Sequence, residues 1–273
     1  MLPEFSEVMN SAITTAKKTI FDGTIFNNCV TNHKIYEVPL GILKTPAMQI
    51  NTATIIGSSG MIGSYLFNLL LQDKSFETIR LVVRHNVSKS TPNMEVKLID
   101  FEDGEAFKNA IAGSDVVFCC IGTTQKNVKG NKDLYRKIDH DIPVNAARYC
   151  KETGCEKFAI VSAVGANSKS RNFYLRLKGE VEDAIKASGI KAVHIMQPSM
   201  LLGFRNEKRR GESFFQGIMK FFSFALVGKG QKYKSIHGKV LAQAMVNAAK
   251  KNVEGNFIYQ YADIVQLANP VIV

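Results

Sequence analysis

Ala53-Thr-Ile-Ile56-Gly57-Ser-Ser-Gly60-Met-Ile-Gly63-Ser-Tyr-Leu-Phe-Asn-Leu-Leu-Leu71 is the stretch whose reading decides the fold. The run from Ala53 to Ile56 has the branching and length of a buried strand. It leads without a spacer into three glycines, and from Ser64 the apolar residues take helical spacing. Gly57 permits a tight turn, Gly60 lets backbone approach a pyrophosphate, and Gly63 permits close packing of the following helix, whose amino terminus attracts phosphate charge. Gly57, Ser58, Ser59, Gly60, Met61, Ile62 and Gly63 therefore read as one dinucleotide-binding turn.

The same alternation continues downstream, as in a doubly wound parallel sheet with helices on both faces. A second strand, Thr78 to Val83, ends in Arg84-His85. This is where an NAD site usually presents a carboxylate to the ribose hydroxyls. An arginine fork there suits a 2′-phosphate, which favours NADP(H) over NAD(H) with Lys89 as a helper, unless Arg84 is simply a surface residue. A third strand, Val96 to Ile99, ends in Asp100-Phe101, which either face an adenine or open a helix, with Asp100 or Asp103 as its cap. The fourth, Asp115 to Cys120, ends in Ile121-Gly122-Thr123-Thr124, where the glycine lets the chain pass beneath a ribose. A helix is then expected from about Leu134 to Lys151. It contains Asp139, His140 and Asp141, whose side chains must point in different directions, so no metal centre is expected there.

The most chemical stretch runs from Lys157 to Asp183. Phe158 to Val161 reads as a buried strand that leaves Ser162 at its carboxyl end, the edge where open α/β sheets bind ligands. After a Gly/Asn/Ser-rich turn, Asn172 or a neighbour caps a helix carrying Tyr174 and Lys178 on one face. An ammonium beside a phenol lowers the phenol's pKa toward the range of proton transfer, and a serine hydroxyl nearby can hold a carbonyl.

In this order, Gly57 to Gly63, Gly122-Thr-Thr124, Tyr135-Arg-Lys-Ile-Asp139, Val161-Ser162-Ala-Val-Gly165, Tyr174-Leu-Arg-Leu-Lys178-Gly-Glu-Val-Glu182 and Gln197-Pro198-Ser-Met-Leu-Leu-Gly203 resemble the short-chain dehydrogenase/reductase superfamily. The likeness is to its atypical branch of animal, fungal and bacterial NAD(P)-binding proteins, and it spans about residues 52 to 268. It implies that Tyr174 is the general acid/base, that Lys178 lowers its pKa and holds the nicotinamide ribose, and that Ser162 orients the substrate carbonyl. Pro198 and Ser199 would line the nicotinamide end. The family more often has Gly-Ala-Thr-Gly in the first turn and Pro-Gly after the sixth strand, where this chain has Ser58-Ser59 and Ser199. Two functions follow from the resemblance: an NADP(H)-dependent oxidoreductase acting on a carbonyl, quinone or alcohol, or an NADPH-binding regulatory protein that acts on a protein partner.

The chain has 273 residues and 45% hydrophobic composition, enough for one full domain, residues 51–273, behind an extension, residues 1–50. In the extension, Phe5 to Ile20 carries a helical apolar stripe, and Asp22 to Lys34 reads as loop. With four acidic residues and no arginine it does not read as a transit peptide. The five cysteines lack metal or Cys-x-x-Cys spacing and read as reduced thiols of a cytoplasmic protein. No apolar run approaches the ~18 residues of a membrane span.

The net charge of +11 concentrates in residues 201–240, with nine lysines and arginines against two glutamates. No nucleic-acid module accompanies it, so nucleic acid is not an expected partner. The segment from about 199 to 240 carries the apolar stripe Phe214, Phe215, Ile218, Phe221, Phe222 and Ala225. It reads as a small C-terminal cover over a small-molecule site, or as peripheral contact with a membrane such as the mitochondrial outer membrane.

Overall fold

The computed structural model describes residues 50–87, 91–202 and 233–269, together with three strand segments within 17–39. The chain divides into two units, Met1–Met48 and Gln49–Val273. In the first, β1 (Lys17–Phe21), β2 (Thr24–Thr31) and β3 (Lys34–Pro39) form an antiparallel sheet in the order β1-β2-β3. This corrects the sequence reading of helix followed by loop. Asp22-Gly23 lies between two segments rich in β-branched residues, a strong hairpin signal that outweighs a helical stripe. The rest of that stripe lies outside the described residues.

The second unit is built on seven parallel strands: β4 (Ile50–Ile56), β5 (Phe76–Val83), β6 (Met94–Leu98), β7 (Val116–Cys119), β8 (Lys157–Val161), β9 (Ala192–Met196) and β12 (Gly255–Tyr259). Their order is β12-β9-β8-β7-β4-β5-β6. A short parallel pair, β10 (Leu201–Leu202) with β11 (Ile236–His237), follows β9. The chain winds outward from β4 through β5 to β6, then crosses to β7 on the other side of β4. That reversal opens a crevice at the carboxyl ends of β4 and β7, where such sheets bind ligands.

The period of two along each strand sends alternate residues into two cores. Ala53, Ile55, Ile79, Leu81 and Phe118 pack beneath α1 (Met61–Gln72), α6 (Gly238–Ala249) and α7 (Tyr261–Ala268). Ile56, Val82, Val117, Cys119 and Phe158 pack beneath α2 (Gly104–Ile111), α4 (Ile142–Glu152) and α5 (Phe173–Lys186) on the other face. α1 shows why the helices sit as they do: Ile62, Leu66 and Leu70 recur every four residues and are all buried. Asp103 caps α2 by accepting from the Ala106 N–H, while Asp100 accepts from the Glu102 N–H.

The helix expected from Leu134 to Lys151 is broken into three parts. A short helix, α3 (Lys132–Arg136), runs through one π-helical turn, Lys137–Asp141, into α4. π-turns widen a helix by a residue and are frequent at functional sites.

Candidate active site

Backbone builds one half of the crevice. Gly57 has φ +87°, and a Cβ there would lie 2.8 Å from the Ile121 nitrogen, so the turns after β4 and β7 touch backbone to backbone. A Cβ on Gly63 would come within 2.2 Å of the Gly57 carbonyl oxygen. α1 therefore starts flush against the turn. Its first turn has neither a side-chain cap nor an acidic residue, leaving its N–H groups and positive end available to an anion. Ser58, Ser59 and Gly60 line the approach, half-buried or exposed. The free N–H groups and the helix end suit an anion such as a pyrophosphate, and a side chain at Gly57 or Gly63 would collide with the backbone that shapes the turn.

At the end of β5, Arg84 is exposed and makes no ion pair among the described residues. Lys89 lies outside them. Phe101 stacks edge-on against Phe107 with ring centroids 4.8 Å apart, so part of its ring belongs to the core beneath α2.

Side chains build the other half. Asp139 sits in the π-turn with only 2% of its surface exposed, and its Oδ1 lies 3.1 Å from Lys178 Nζ on α5. Its Oδ2 accepts from the Thr123 backbone N–H at 2.6 Å, tying the loop after β7 to both helices. Among the described residues the ammonium has no other hydrogen-bond partner, leaving two of its three donors for a ligand. Tyr174 lies one turn before Lys178, whose Nζ stands 5.9 Å from the centre of the Tyr174 ring. Tyr174 packs against a small apolar cluster containing Tyr135, Val128 and Leu177. Its hydroxyl has no protein partner among the described residues.

Burial pulls the Lys178 ammonium toward neutrality, but Asp139, with a further contribution from Tyr174, more than offsets it and holds its pKa above the usual lysine range. The Tyr174 phenol moves opposite to the sequence reading. Burial pushes its pKa up, Lys178 pulls it down, and Asp139 pushes it up again, leaving it above the ordinary phenol value. Burial also lifts the Cys119 thiol to about 12, so it is a packing group here.

The sequence reading gives Ser162 the substrate carbonyl; in the structure its hydroxyl is engaged by a neighbouring carboxylate. Ser162 Oγ is buried and donates to Glu182 Oε1 at 2.5 Å, and Gln197 Nε2 donates to the same carboxylate at 2.9 Å. Gln260 Nε2 then donates to Gln197 Oε1 at 3.0 Å. This chain of polar groups links β8, α5, β9 and the start of α7. Burial raises the Glu182 pKa, and the two donors partly offset that.

Just after β9, Pro198 is buried and its carbonyl accepts from the Val164 N–H at 3.0 Å. The Ser199 hydroxyl donates to the Lys234 carbonyl at 2.7 Å. The β8–α5 loop lies directly on α5: a Cβ at Gly179 would stand 2.1 Å from the Ser168 nitrogen. Residues 203–232, with Arg205, Arg210 and the phenylalanine stripe, lie outside the described residues.

Gly57 thus meets Ile121 backbone to backbone, Thr123 is tied through Asp139 to Lys178 and its neighbour Tyr174, and the Ser162 hydroxyl is taken by Glu182. Asp139, Glu182 and Gly179 were given no role in the sequence reading. Asp139 was legible in one respect: it stands four residues after Tyr135 and three before Ile142, on the buried stripe of that helix.

The sequence model of a family described as NAD(P)H-binding matches residues 57–251. The chain is 32% identical over 168 residues to rat Protein HTATIP2, covering 60% of this chain and 69% of that one. It is 32% identical over 180 residues to mitochondrial Protein FMP52 of Eremothecium gossypii, covering 66% and 78%. Against Aspergillus niger fmp52, also named mitochondrial, it is 31% identical over 211 residues, covering 74% and 88%. Among solved structures, Bordetella bronchiseptica WbmH in complex with NAD+ has a TM-score of 0.56 at 17% identity, over 80% of this chain and 79% of that one. MoeE5 in complex with UDP-glucose and NAD has a TM-score of 0.58 at 12% identity, over 80% and 81%. The chain belongs to the NAD(P)H-binding family, within the atypical short-chain dehydrogenase/reductase group. Among the described residues, no helix is long and apolar enough to cross a membrane.

Proposed function

We propose that the protein is an NADP(H)-dependent oxidoreductase acting on a carbonyl, quinone or alcohol, with Tyr174 transferring the proton. The observation that carries this reading is a phenol without a protein partner standing one helical turn from a buried ammonium with donors to spare, at the carboxyl edge of the sheet beside an uncapped helix. Gly57 to Gly63 would hold the pyrophosphate, Ile121 to Thr123 would run beside a ribose, and Lys178 would donate to the nicotinamide ribose. Asp100 and Phe101 would border the adenine, and Pro198 and Ser199 the nicotinamide end. Arg84 replaces the carboxylate that would bind a free 2′-hydroxyl, so the phosphorylated cofactor is preferred.

When bound, the cofactor supplies hydride chemistry. The chain's own part is to orient the substrate oxygen toward Tyr174 and to exchange a proton at Tyr174 Oη. Ser162 acts here as a positioning residue, holding Glu182 and through it the α5 segment that carries Tyr174 and Lys178.

The free thiols Cys119, Cys120, Cys150 and Cys155 suit a reducing compartment. We place the protein in the cytoplasm or at the face of a mitochondrial membrane, and fractionation of cells separates the two.

Calorimetric titration with NADPH and NADH, followed by a carbonyl and quinone panel read at the NADPH absorbance, tests the reading. Tyr174→Phe should lower turnover by about 10²–10⁴ while NADPH affinity stays within a few-fold. Normal turnover in that variant removes Tyr174 from the chemistry. Tight nucleotide binding without turnover across the panel would replace the enzyme with a regulatory NADPH-binding protein.

A further inference from the structure

Lys178 and Tyr174 stand on one helix, one turn apart, so the ammonium acts on the phenol in every conformation that keeps α5 intact. Left alone, that charge would favour the phenolate. It is not left alone. Asp139 reaches it from the π-turn, in contact at 3.1 Å and almost wholly buried, so the two charges are removed from water together. The carboxylate is itself fixed, because Oδ2 takes the Thr123 N–H. A buried charge compensated this closely acts at a distance as a dipole rather than as a point charge.

Among the described residues, the other groups around the phenol do not restore a positive field. Tyr135, on α3, is uncharged and donates to the Thr123 carbonyl at 3.3 Å. Cys119, at the end of β7, is a buried thiol held protonated. Glu182, one turn beyond Lys178 on α5, is engaged by Ser162 and Gln197.

We propose that Asp139 is the positioning residue that fixes the proton state of this site: by pairing with Lys178 it offsets the ammonium's pull on Tyr174, so the buried phenol keeps its proton. Tyr174 then serves as an acid toward a carbonyl or quinone oxygen rather than as a base toward an alcohol. The inference rests on the oxidoreductase reading and narrows its substrate class. In that step the Tyr174 O–H bond would break and its proton pass to the substrate oxygen, a bound nicotinamide dinucleotide would supply the hydride that carbon takes up, and the phenolate would be reprotonated from solvent. The raised phenol described above agrees with this balance: Lys178 and Asp139 act on it with opposite signs, and burial is left to decide.

Ultraviolet titration of the tyrosinate, taken as the difference between each protein and its Tyr174→Phe counterpart, reads the phenol directly and needs no turnover. In the otherwise unaltered protein, Tyr174 should ionise above the ~10 of a free phenol. Asp139→Asn should bring it down by about one pH unit or more, because the ammonium then acts uncompensated. The double variant Asp139→Asn/Lys178→Met removes both charges and should return the phenol to within about half a unit of the starting protein. Superimposed curves for Asp139→Asn and the unaltered protein overturn the proposal, as does a double variant that stays low.

Asp139→Asn leaves a buried ammonium without its counter-charge, so circular dichroism checks its fold. If it does not fold, the double variant decides alone, and a displacement of more than one unit in it overturns the proposal. Where turnover is found, the alkaline limb of carbonyl reduction should move down with the phenol. Loss of turnover in Tyr174→Phe with no effect of Asp139→Asn on the titration would sink this inference and leave the oxidoreductase reading standing.

Discussion

At the end of β4 the candidate ligand surface is made from backbone, with Gly57 at positive φ, Gly63 pressed on the Gly57 carbonyl, and helix α1 uncapped. At the ends of β7 and β8 the candidate surface is made from side chains, with Asp139 on Lys178 and Thr123, Tyr174 over the small apolar cluster, and Ser162 bonded to Glu182. The first half needs only seven consecutive residues and one side-chain property, the absence of a Cβ. The second needs partners from β7, the π-turn, β8, α5 and β9. A phosphate is bound by geometry and partial charge, which backbone supplies. A proton must be held at a chosen affinity, which takes charged groups placed by burial.

Glycine substitution in each half gives the largest expected effects and separates the two halves. Gly63→Ala drives a methyl into a carbonyl at 2.2 Å, and Gly179→Ala drives one into a backbone nitrogen at 2.1 Å. Each should cost more than about 3 kcal/mol of stability in chemical denaturation. In whatever protein remains folded, Gly63→Ala should abolish calorimetric nucleotide binding, since it shifts α1 from the turn. Gly179→Ala should displace the β8–α5 loop and reduce turnover more than nucleotide affinity. Equal losses of affinity in both variants would show that the two halves do not act separately.

Ser162→Ala tests the side-chain half at intermediate size. Removing the hydroxyl takes one of two donors from a buried carboxylate, at a cost of about 1–3 kcal/mol. If Ser162 only positions Glu182, kcat should fall less than about tenfold, and Glu182→Gln should show a similar pattern. A fall of more than about a hundredfold in kcat with stability unchanged would instead give Ser162 to the substrate carbonyl, and the side-chain half would then resemble the family pattern after all.

The same contrast explains what the sequence let one read. The parallel sheet was legible because Ala53–Ile56, Asp115–Cys120, Phe158–Val161 and Ala192–Met196 are short branched runs separated by helical spacing. The glycine turn was legible because steric demand leaves no substitute for hydrogen at Gly57 and Gly63. The proton site was half legible: Tyr174 and Lys178 announce themselves by spacing on one helix, while Asp139 reaches them only through the fold. Its neighbours also obscured it, since the side chains of Asp139-His140-Asp141 point in different directions and the sequence does not say which of them looks inward. In the structure Asp139 alone turns inward, and His140 Nδ1 lies 2.7 Å from Asp141 Oδ1. The direction of the Tyr174 shift was misread because spacing shows the ammonium and hides both its counter-charge and the burial. In the first 50 residues a helical stripe and an Asp-Gly hairpin signal compete, and the hairpin wins.

Arg84 carries the smallest expected effect and the sharpest question about the backbone half, because it is the one side chain there asked to discriminate. It is exposed at the end of β5 and makes no ion pair among the described residues, so its guanidinium is screened by solvent until a ligand covers it. A charge-assisted contact to a 2′-phosphate in that setting is worth about 1.4 kcal/mol, a tenfold change in affinity. Arg84→Ala should therefore weaken NADPH about tenfold in calorimetry, leave NADH within twofold, and flatten the salt dependence of NADPH binding. An equal loss for both nucleotides would mean that Arg84 supports the turn rather than reading the phosphate. Any preference for NADP(H) would then have to come from residues the β5 end does not carry.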